Sequence, residues 1–163
     1  PFASPCVVGR RNRSTAASAM KHPKVYSLSR KHGPPKVDLR QAEILNAWGD
    51  NRWAKLAVAH KLPEDVTREQ IAFYGWVYSF MEPTDLLFYL YPIAREFDAD
   101  NSLHCIASFL YSLDRHAPDL MSQLVREDRE ALREGLRWIW NSGGSEFADW
   151  EACPNLRKVM GLE

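Results

Sequence analysis

The stretch from Thr67 to Arg115 constrains the fold of this chain more than any other segment. It contains eleven of the chain's nineteen aromatic residues, all of them between Phe73 and Tyr111. Its apolar residues recur at helical spacing, and Pro83 falls where a proline is tolerated in the first turn of a helix. We therefore expect three consecutive helices here, which form the buried centre of one domain.

Helix signals also precede this stretch. Asp38 is a good N-cap for a helix that Gly49 ends. Asn51 could cap a second short helix, which Pro63 closes. We expect both helices to pack on the central stretch.

The first helix of the central stretch has a clear start signal. Thr67 and Gln70 have the spacing of a capping box. The helix that follows is apolar nearly all round, which predicts burial on most sides, and Gly75 in its middle predicts a close helix crossing. In the next helix, Pro92 lacks a backbone donor and predicts a kink or a break.

Later signals complete the predicted architecture. Asn101 or Ser102 is expected to cap a further helix, and the segment from about Glu127 to Trp140 has the pattern of an amphipathic helix. No segment shows the sustained alternation typical of strands. We predict an all-α fold, a single compact bundle of about six helices over residues 38–163.

The charge distribution separates a leader from this body. Residues 1–40 carry nine Lys and Arg and one acid, whereas residues 41–163 carry twelve bases and twenty acids. Residues 1–37 also show no sustained apolar period, so we predict an irregular basic N-terminal leader. Met20 is the first methionine, and residues 1–19 are interpreted as a possible extension ahead of the native start.

Composition narrows the cellular setting. The three cysteines are widely spaced and include no CxxC pair, so a zinc knuckle or a redox motif is not expected. Thiols without a disulfide framework are typical of a cytoplasmic protein. The uncharged run from Ile71 to Met81 is far shorter than the about 20 residues of a membrane span.

Catalytic signals are weak. The glycine-rich, P-loop, HExxH, GxSxG and EF-hand patterns do not occur, and we predict no cofactor and no metal. Asp100, His104 and Ser108 follow one another at intervals of four, a spacing that could set a base beside a hydroxyl. A serine on a helix more often bonds its own backbone carbonyls, so the pattern favours a packed polar position and a non-enzymatic protein.

Two alternatives to a non-enzymatic binding role remain open. One is a small-ligand or enzymatic site between helices, for which His104, Tyr89 and Glu96 are the candidate residues. The other is nucleic-acid binding through phosphate contacts of the leader. Its candidates are Arg10, Arg11, Arg13, Lys21, Lys24, Arg30 and Lys31.

Protein binding is the function that we favour. An acidic helical surface could speed encounter with a basic partner and reject wrong partners. The expected contact residues are Glu127, Asp128, Glu130, Glu134, Glu96 and Asp98. The basic leader could instead dock on the acidic body of a neighbouring copy, which would favour a homodimer. Trp138 and Trp140 point in different directions on a helix, so one of them is expected at the surface.

Several of these segments together resemble a known group of proteins. The order FMEPTDLLFYLYPIAREF, then SFLYSL, then LVREDREALREGLRWIW is similar to that of small uncharacterised bacterial helical proteins. The matching positions are Phe80, Pro83, Thr84, Tyr89, Leu90, Leu124 and Trp138, and the likeness covers about residues 45–142. The resemblance implies an accessory role, as cargo of mobile or defence-related regions, and assigns no catalytic residue.

Overall fold

The computed structural model describes residues 21–101, 105–144, 146 and 150–162. Seven α-helices lie within these ranges, and the described residues contain no strand. The helices are α1 (Pro23–Lys31), α2 (Leu39–Asn46), α3 (Arg68–Phe73), α4 (Pro83–Ala99), α5 (Ile106–Gln123), α6 (Arg126–Ile139) and α7 (Pro154–Met160). The predicted all-α bundle is confirmed.

The centre of the bundle is α4. Its residues from Asp85 to Arg95 are all buried, which explains why this helix has no polar stripe. α1, α5 and α6 pack around it. The start of α4 at Pro83 is confirmed, and its first turn places Asp85 inside the protein.

α4 continues through Pro92, and a serine of α1 bonds the helix backbone just before the proline. The hydroxyl of Ser29, on α1, donates a hydrogen bond to the carbonyl oxygen of Leu87 at 2.8 Å. The same hydroxyl oxygen accepts the N–H of Tyr91 at 3.0 Å. Ser29 therefore stands between the two groups that would bond to each other in a regular helix, one turn ahead of the proline.

The prediction of an irregular leader is wrong for residues 23–31. They form α1, which starts at Pro23 and buries Val25, Leu28 and Ser29 against α4 and α6. Val25 and Leu28 sit three positions apart on one face, while the side chains of Lys24 and Lys31 are exposed. The apolar positions of this helix are few, and the basic residues between them obscure the periodicity in the sequence.

A buried carboxylate joins the end of this segment to the central helix. Asp85 accepts the backbone N–H of Lys36 at 2.9 Å and that of Val37 at 3.2 Å. A few residues earlier, Gly33 lies directly against Phe88, because a Cβ atom on Gly33 would fall 2.4 Å from the ring. Residues 33–37 are thus packed on α4.

The second predicted helix, from Asn51 to Pro63, is absent. The carbonyl groups of this segment are used by side chains from neighbouring elements: Arg40 donates to Ala54, Gln70 to Ala57, and Tyr74 to Leu56. These tertiary hydrogen bonds replace the bonds that a helix would have made within the segment.

The third predicted helix is shorter than expected. The capping box is confirmed, since the Thr67 hydroxyl accepts the Gln70 N–H and the Gln70 side chain accepts the Thr67 N–H. However, α3 ends at Phe73, and Tyr78–Phe80 form a separate 3₁₀ turn. The chain turns at Gly75, where a Cβ atom would lie 2.3 Å from the Cβ atom of Cys105. The chain does approach Cys105 closely at Gly75, but the predicted helix crossing there is wrong, because α3 ends before Gly75.

α5 and α6 agree more closely with the sequence. α5 continues through Pro118, whose missing N–H would have bonded the carbonyl of Asp114; Asn155 donates to that carbonyl instead. The Asp114 carboxylate accepts the N–H of Leu156 and so caps α7. α6 spans almost the predicted range. α5 begins after Cys105, so the predicted cap at Asn101 is wrong, while Ser102 and the native start at Met20 lie outside the described residues.

Candidate functional site

Large apolar side chains are exposed along one part of the chain. Trp48 is 99% exposed, Trp76 is 74% exposed and Trp53 is 62% exposed. We define the aromatic surface as these three residues with their exposed apolar neighbours. Its members are Leu45, Trp48, Trp53, Phe73, Trp76 and Phe80. The prediction that the aromatic residues of the helix after Thr67 are buried on most sides is therefore wrong for Phe73, Trp76 and Phe80.

The segments that carry the aromatic surface are packed on one another. The Arg40 guanidinium of α2 holds the carbonyl of Ala54 at 3.1 Å, next to Trp53. The Phe73 ring meets the Tyr74 ring edge-on, with 4.8 Å between their centres, and Tyr74 is the donor to Leu56. The 3₁₀ turn before α4 packs on α2. The exposed side chains therefore project from one packed unit.

Trp48 occupies a position that glycine usually takes. The Gly49 N–H bonds the Ile44 carbonyl at 2.7 Å, and the Trp48 N–H bonds the Leu45 carbonyl at 3.2 Å. This is the Schellman pattern that ends a helix, in which the penultimate residue is left-handed. Here that residue is Trp48, with a φ of 55°. The sequence correctly predicted that α2 ends near Gly49, but it gave no sign that Trp48 would be left-handed.

The aromatic surface is electrically balanced. Residues 45–80 contain four bases and four acids. The bases are Arg52, Lys55, Lys61 and Arg68, and the acids are Asp50, Glu64, Asp65 and Glu69. Arg52 and Asp50 pair with each other at 2.6 Å beside Trp53. The surface thus lacks the basic excess that binding to phosphates requires.

A buried polar network lies beneath this part of the chain. His60 is buried, with Nδ1 2.9 Å from the Tyr89 hydroxyl and Nε2 2.8 Å from the Gln70 side-chain oxygen. The Tyr89 hydroxyl oxygen also accepts the Leu39 N–H at 3.3 Å. Tyr89 is left with a proton for His60, so the network is satisfied when His60 is neutral and carries its proton on Nε2. The histidine ties residues 57–62 to both α3 and α4.

This network predicts that acid destabilises the fold. Burial lowers the pKa of His60, and the Gln70 hydrogen bond and nearby carboxylates only partly oppose the shift. A histidine whose folded pKa is depressed stabilises the fold fully above its unfolded pKa of about 6.5, and this stability is lost as the pH falls below it. We expect the free energy of unfolding, measured in urea, to fall as the pH is lowered from 7 through the depressed pKa.

A His60→Gln variant provides the control for this prediction. Burial also lowers the pKa of His32, so part of the pH dependence will remain in the variant. The difference between the wild-type and variant curves isolates His60. If the free energy of unfolding had the same pH dependence in wild type and variant between pH 7 and 5, the predicted effect of His60 would be contradicted.

The predicted acidic contact residues are engaged within the chain. Asp128 pairs with Lys31, Glu130 with Lys24 at 3.8 Å, and Glu134 with His22 at 3.2 Å. Asp98 lies 4.0 Å from Lys21 and accepts the hydroxyl of Ser142, while Glu96 pairs with Arg95. Glu127 is exposed in the first turn of α6. The acidic body thus meets the basic α1 of its own chain.

The same pairs account for three of the proposed nucleic-acid contacts. Lys21, Lys24 and Lys31 face carboxylates at 4.0 Å or less, so their charges are partly neutralised within the fold. Arg30 is exposed on the same helix. Arg10, Arg11 and Arg13 lie outside the described residues.

A polar cleft of about 580 Å³ lies between α1 and α6. His22 stacks on Trp138 in its wall, with 4.0 Å between ring centres. Arg133 and Arg137 also line it, but they donate to the carbonyls of Val159 and Met160. Within the described residues, two acids of its wall are paired, Glu134 with His22 and Glu130 with Lys24, whereas His22 Nε2 and Trp138 Nε1 are buried without a hydrogen-bond partner.

Tyr89 and Glu96, two of the three residues of the alternative pocket, lie apart in the structure. Tyr89 is fully buried in the His60 network, whereas Glu96 lies seven positions later, about 10 Å along the helix. His104 lies outside the described residues, so its proposed pairing with Ser108 and Asp100 stays a prediction. The Asp100 carboxylate pairs with Arg68 at 3.0 Å.

Neither of the two tryptophans of which one was expected at the surface is fully exposed. Trp138 is buried against His22 and Tyr91, and Trp140 is half-buried and packs on Trp150 with 5.0 Å between ring centres. Trp48, Trp53 and Trp76 were missed. The only sequence signal for Trp48 was its place at the end of a predicted helix, immediately before Gly49.

The described residues contain neither a metal-binding cluster nor a membrane-spanning helix. No group of three or more His, Cys, Asp or Glu side chains there could hold a metal ion. None of the helices in the same part of the chain is both long and apolar enough to cross a membrane.

Comparison with protein-family models, with curated proteins and with solved structures finds no match to this chain.

Proposed function

We propose that this chain is a non-enzymatic helical protein that binds another protein through the aromatic surface. The observation that carries the proposal is Trp48, which is 99% exposed and left-handed. Left-handed backbone costs an ordinary residue about 1–2 kcal/mol, and only glycine adopts it freely. An exposed side chain offers little packing to offset this cost, so Trp48 is better explained by a contact outside the chain.

The composition of the surface supports a protein as the partner. Tryptophan is the residue type most enriched among the hot spots of protein interfaces, and aromatic residues in general are enriched in interface cores. Three tryptophans and two phenylalanines lie on this surface. Single exposed apolar residues are common on any protein, but several on one packed unit are not.

Charge balance argues against two other partners. Nucleic acid and anionic lipid both require an excess of Lys and Arg at the contact. Residues 45–80 have equal numbers of bases and acids. A partner with a largely apolar contact region fits this surface better than either polyanion does.

The proposed contact surface is different from the acidic residues that the sequence predicted as contacts. Three of those six acids pair with residues of α1 or with its N-cap residue His22, so a basic protein would have to compete with intramolecular pairs. The accessory role implied by the resemblance is compatible with protein binding, and it remains part of the proposal.

Trp48→Asn is expected to separate binding from stability. Asparagine tolerates the left-handed conformation, so the free energy of unfolding should stay unchanged or rise by up to about 1 kcal/mol. Binding to the partner should weaken by about 2 kcal/mol, as expected for loss of an interface tryptophan. Urea denaturation and partner affinity are the two measurements.

The partner is to be sought by a comparative pull-down. Wild-type protein, a Trp48→Asn/Trp76→Asn variant and a Glu127→Lys/Glu130→Lys variant are used as baits at moderate salt. The proposal predicts a stoichiometric protein that wild type and the acidic-face variant retain and the tryptophan variant loses. A partner lost only from the acidic-face variant would restore the earlier assignment and contradict this one.

A further inference from the structure

We infer that, when no other partner is bound, the aromatic surface is covered by the same surface of a second copy, in a two-fold symmetric dimer. This inference rests on the proposed function, because it names the occupant of the same surface in the resting protein. A different partner would then bind by displacing one copy from the other.

The exposed area supports a second copy as the occupant. A tryptophan has up to about 250 Å² of surface, so Trp48, Trp53 and Trp76 at 99, 62 and 74% exposure present roughly 600 Å². Phe73 and Phe80, at 50 and 40% exposure, add to this. The total approaches the about 800 Å² that each partner buries in a stable interface.

The charges on this surface permit two identical faces to meet. In a two-fold dimer each surface patch faces itself, so a strongly charged face would repel its copy. Residues 45–80 have no net charge, counting His60 as neutral. Charge repulsion therefore does not oppose self-pairing of the aromatic surface.

The charged groups on the aromatic surface also suit a symmetric contact. Arg52 and Asp50 lie side by side, and the Arg52 side chain is 82% exposed. In a two-fold arrangement each arginine can meet the aspartate of the other copy without leaving a charge unpaired. Trp48 projects from the end of α2 and is the natural anchor of such a contact.

Sedimentation equilibrium of the purified chain tests the inference. Wild type, the Trp48→Asn/Trp76→Asn variant and a Val125→Asn control are compared over a wide concentration range. Val125 is an exposed apolar residue at the start of α6, outside the aromatic surface. We expect wild type and the control to dimerise alike. The tryptophan variant should dimerise at least about tenfold more weakly, equivalent to about 1.4 kcal/mol.

Two results would overturn the inference. One is a wild-type chain that stays monomeric at every concentration. The other is a tryptophan variant that is folded by circular dichroism and dimerises as strongly as wild type. Neither result decides the proposed function, which fails only if the pull-down partner is retained by the tryptophan variant. The two ideas can therefore fail separately.

Discussion

Replacing Asp85 with alanine is expected to lower the free energy of unfolding by about 3 kcal/mol. The carboxylate is 1% exposed and is the acceptor for the N–H groups of Lys36 and Val37. Hydrogen bonds to a charged group contribute about 1.5–3 kcal/mol, and a buried donor left without an acceptor adds a desolvation cost. The chain between α1 and α2 would lose its anchor on α4. Urea denaturation measures the change.

Two further variants sharpen this prediction. Asp85→Asn retains one carbonyl acceptor and should lose about half as much stability. Glu82→Ala removes a nearby carboxylate whose side chain is 59% exposed and pairs only loosely with Lys36, so it should change stability by less than about 1 kcal/mol. Equal losses of stability for Glu82→Ala and Asp85→Ala would contradict this prediction. They would show that negative charge at the start of α4, and not the buried hydrogen bonds of Asp85, stabilises the fold.

Gly75→Val is expected to destabilise the fold by a similar amount, about 3 kcal/mol. A Cβ atom at position 75 would fall 2.3 Å from the Cβ atom of Cys105, which precedes α5. Neither atom is the far end of a flexible side chain, so the backbone of one segment must move. Overpacking of this kind costs about 1–3 kcal/mol and occasionally more. Thermal and urea unfolding of the variant measure the loss.

A double variant tests the cause of this loss. Gly75→Ala alone should be destabilising, and Gly75→Ala combined with Cys105→Gly should recover most of the difference, because the opposing Cβ atom is gone. Ala72→Val, at an exposed position in the same region, should have little effect. If the loss of stability in the double variant equalled the sum of the losses in the two single variants, the clash with Cys105 would not be the reason for glycine at this position.

The features predicted correctly from sequence depend on residues close together in the chain. Asp38 caps α2 through the Gln41 N–H, three residues later, and the Thr67–Gln70 capping box is equally local. α6 has a regular apolar spacing that needs no tertiary partner to be recognised. Interactions between residues close in the sequence determine these elements, and the all-α class follows from them.

The features that the sequence did not predict depend on distant partners. α1 is a short helix whose buried face is only three residues wide, and its place is set by Ser29 at the Pro92 turn. The segment from Asn51 to Pro63 has helical residues, but its carbonyls bond the side chains of Arg40, Gln70 and Tyr74. These contacts join residues ten or more positions apart, which periodicity does not detect.

The candidate site was missed for a related reason. Tryptophan and phenylalanine at helical spacing usually indicate a core, and this rule holds for α4. It fails for Trp76 because α3 ends at Phe73, so the residues beyond it no longer follow a helical face, and Phe73 itself is half exposed at the end of that helix. A charge-based search then pointed to the acids of α6, which the basic face of α1 already meets.

The most direct test of the central claim is oxidative footprinting of the tryptophans by mass spectrometry. It compares the free chain in dilute solution with the complex recovered by pull-down, or with concentrated protein if two copies pair. The account predicts that Trp48, Trp53 and Trp76 are oxidised in the free chain and protected in the complex, whereas buried Trp138 and Trp150 are protected in both. A complex in which those three tryptophans stay fully oxidised would contradict the assignment of the aromatic surface as the binding site.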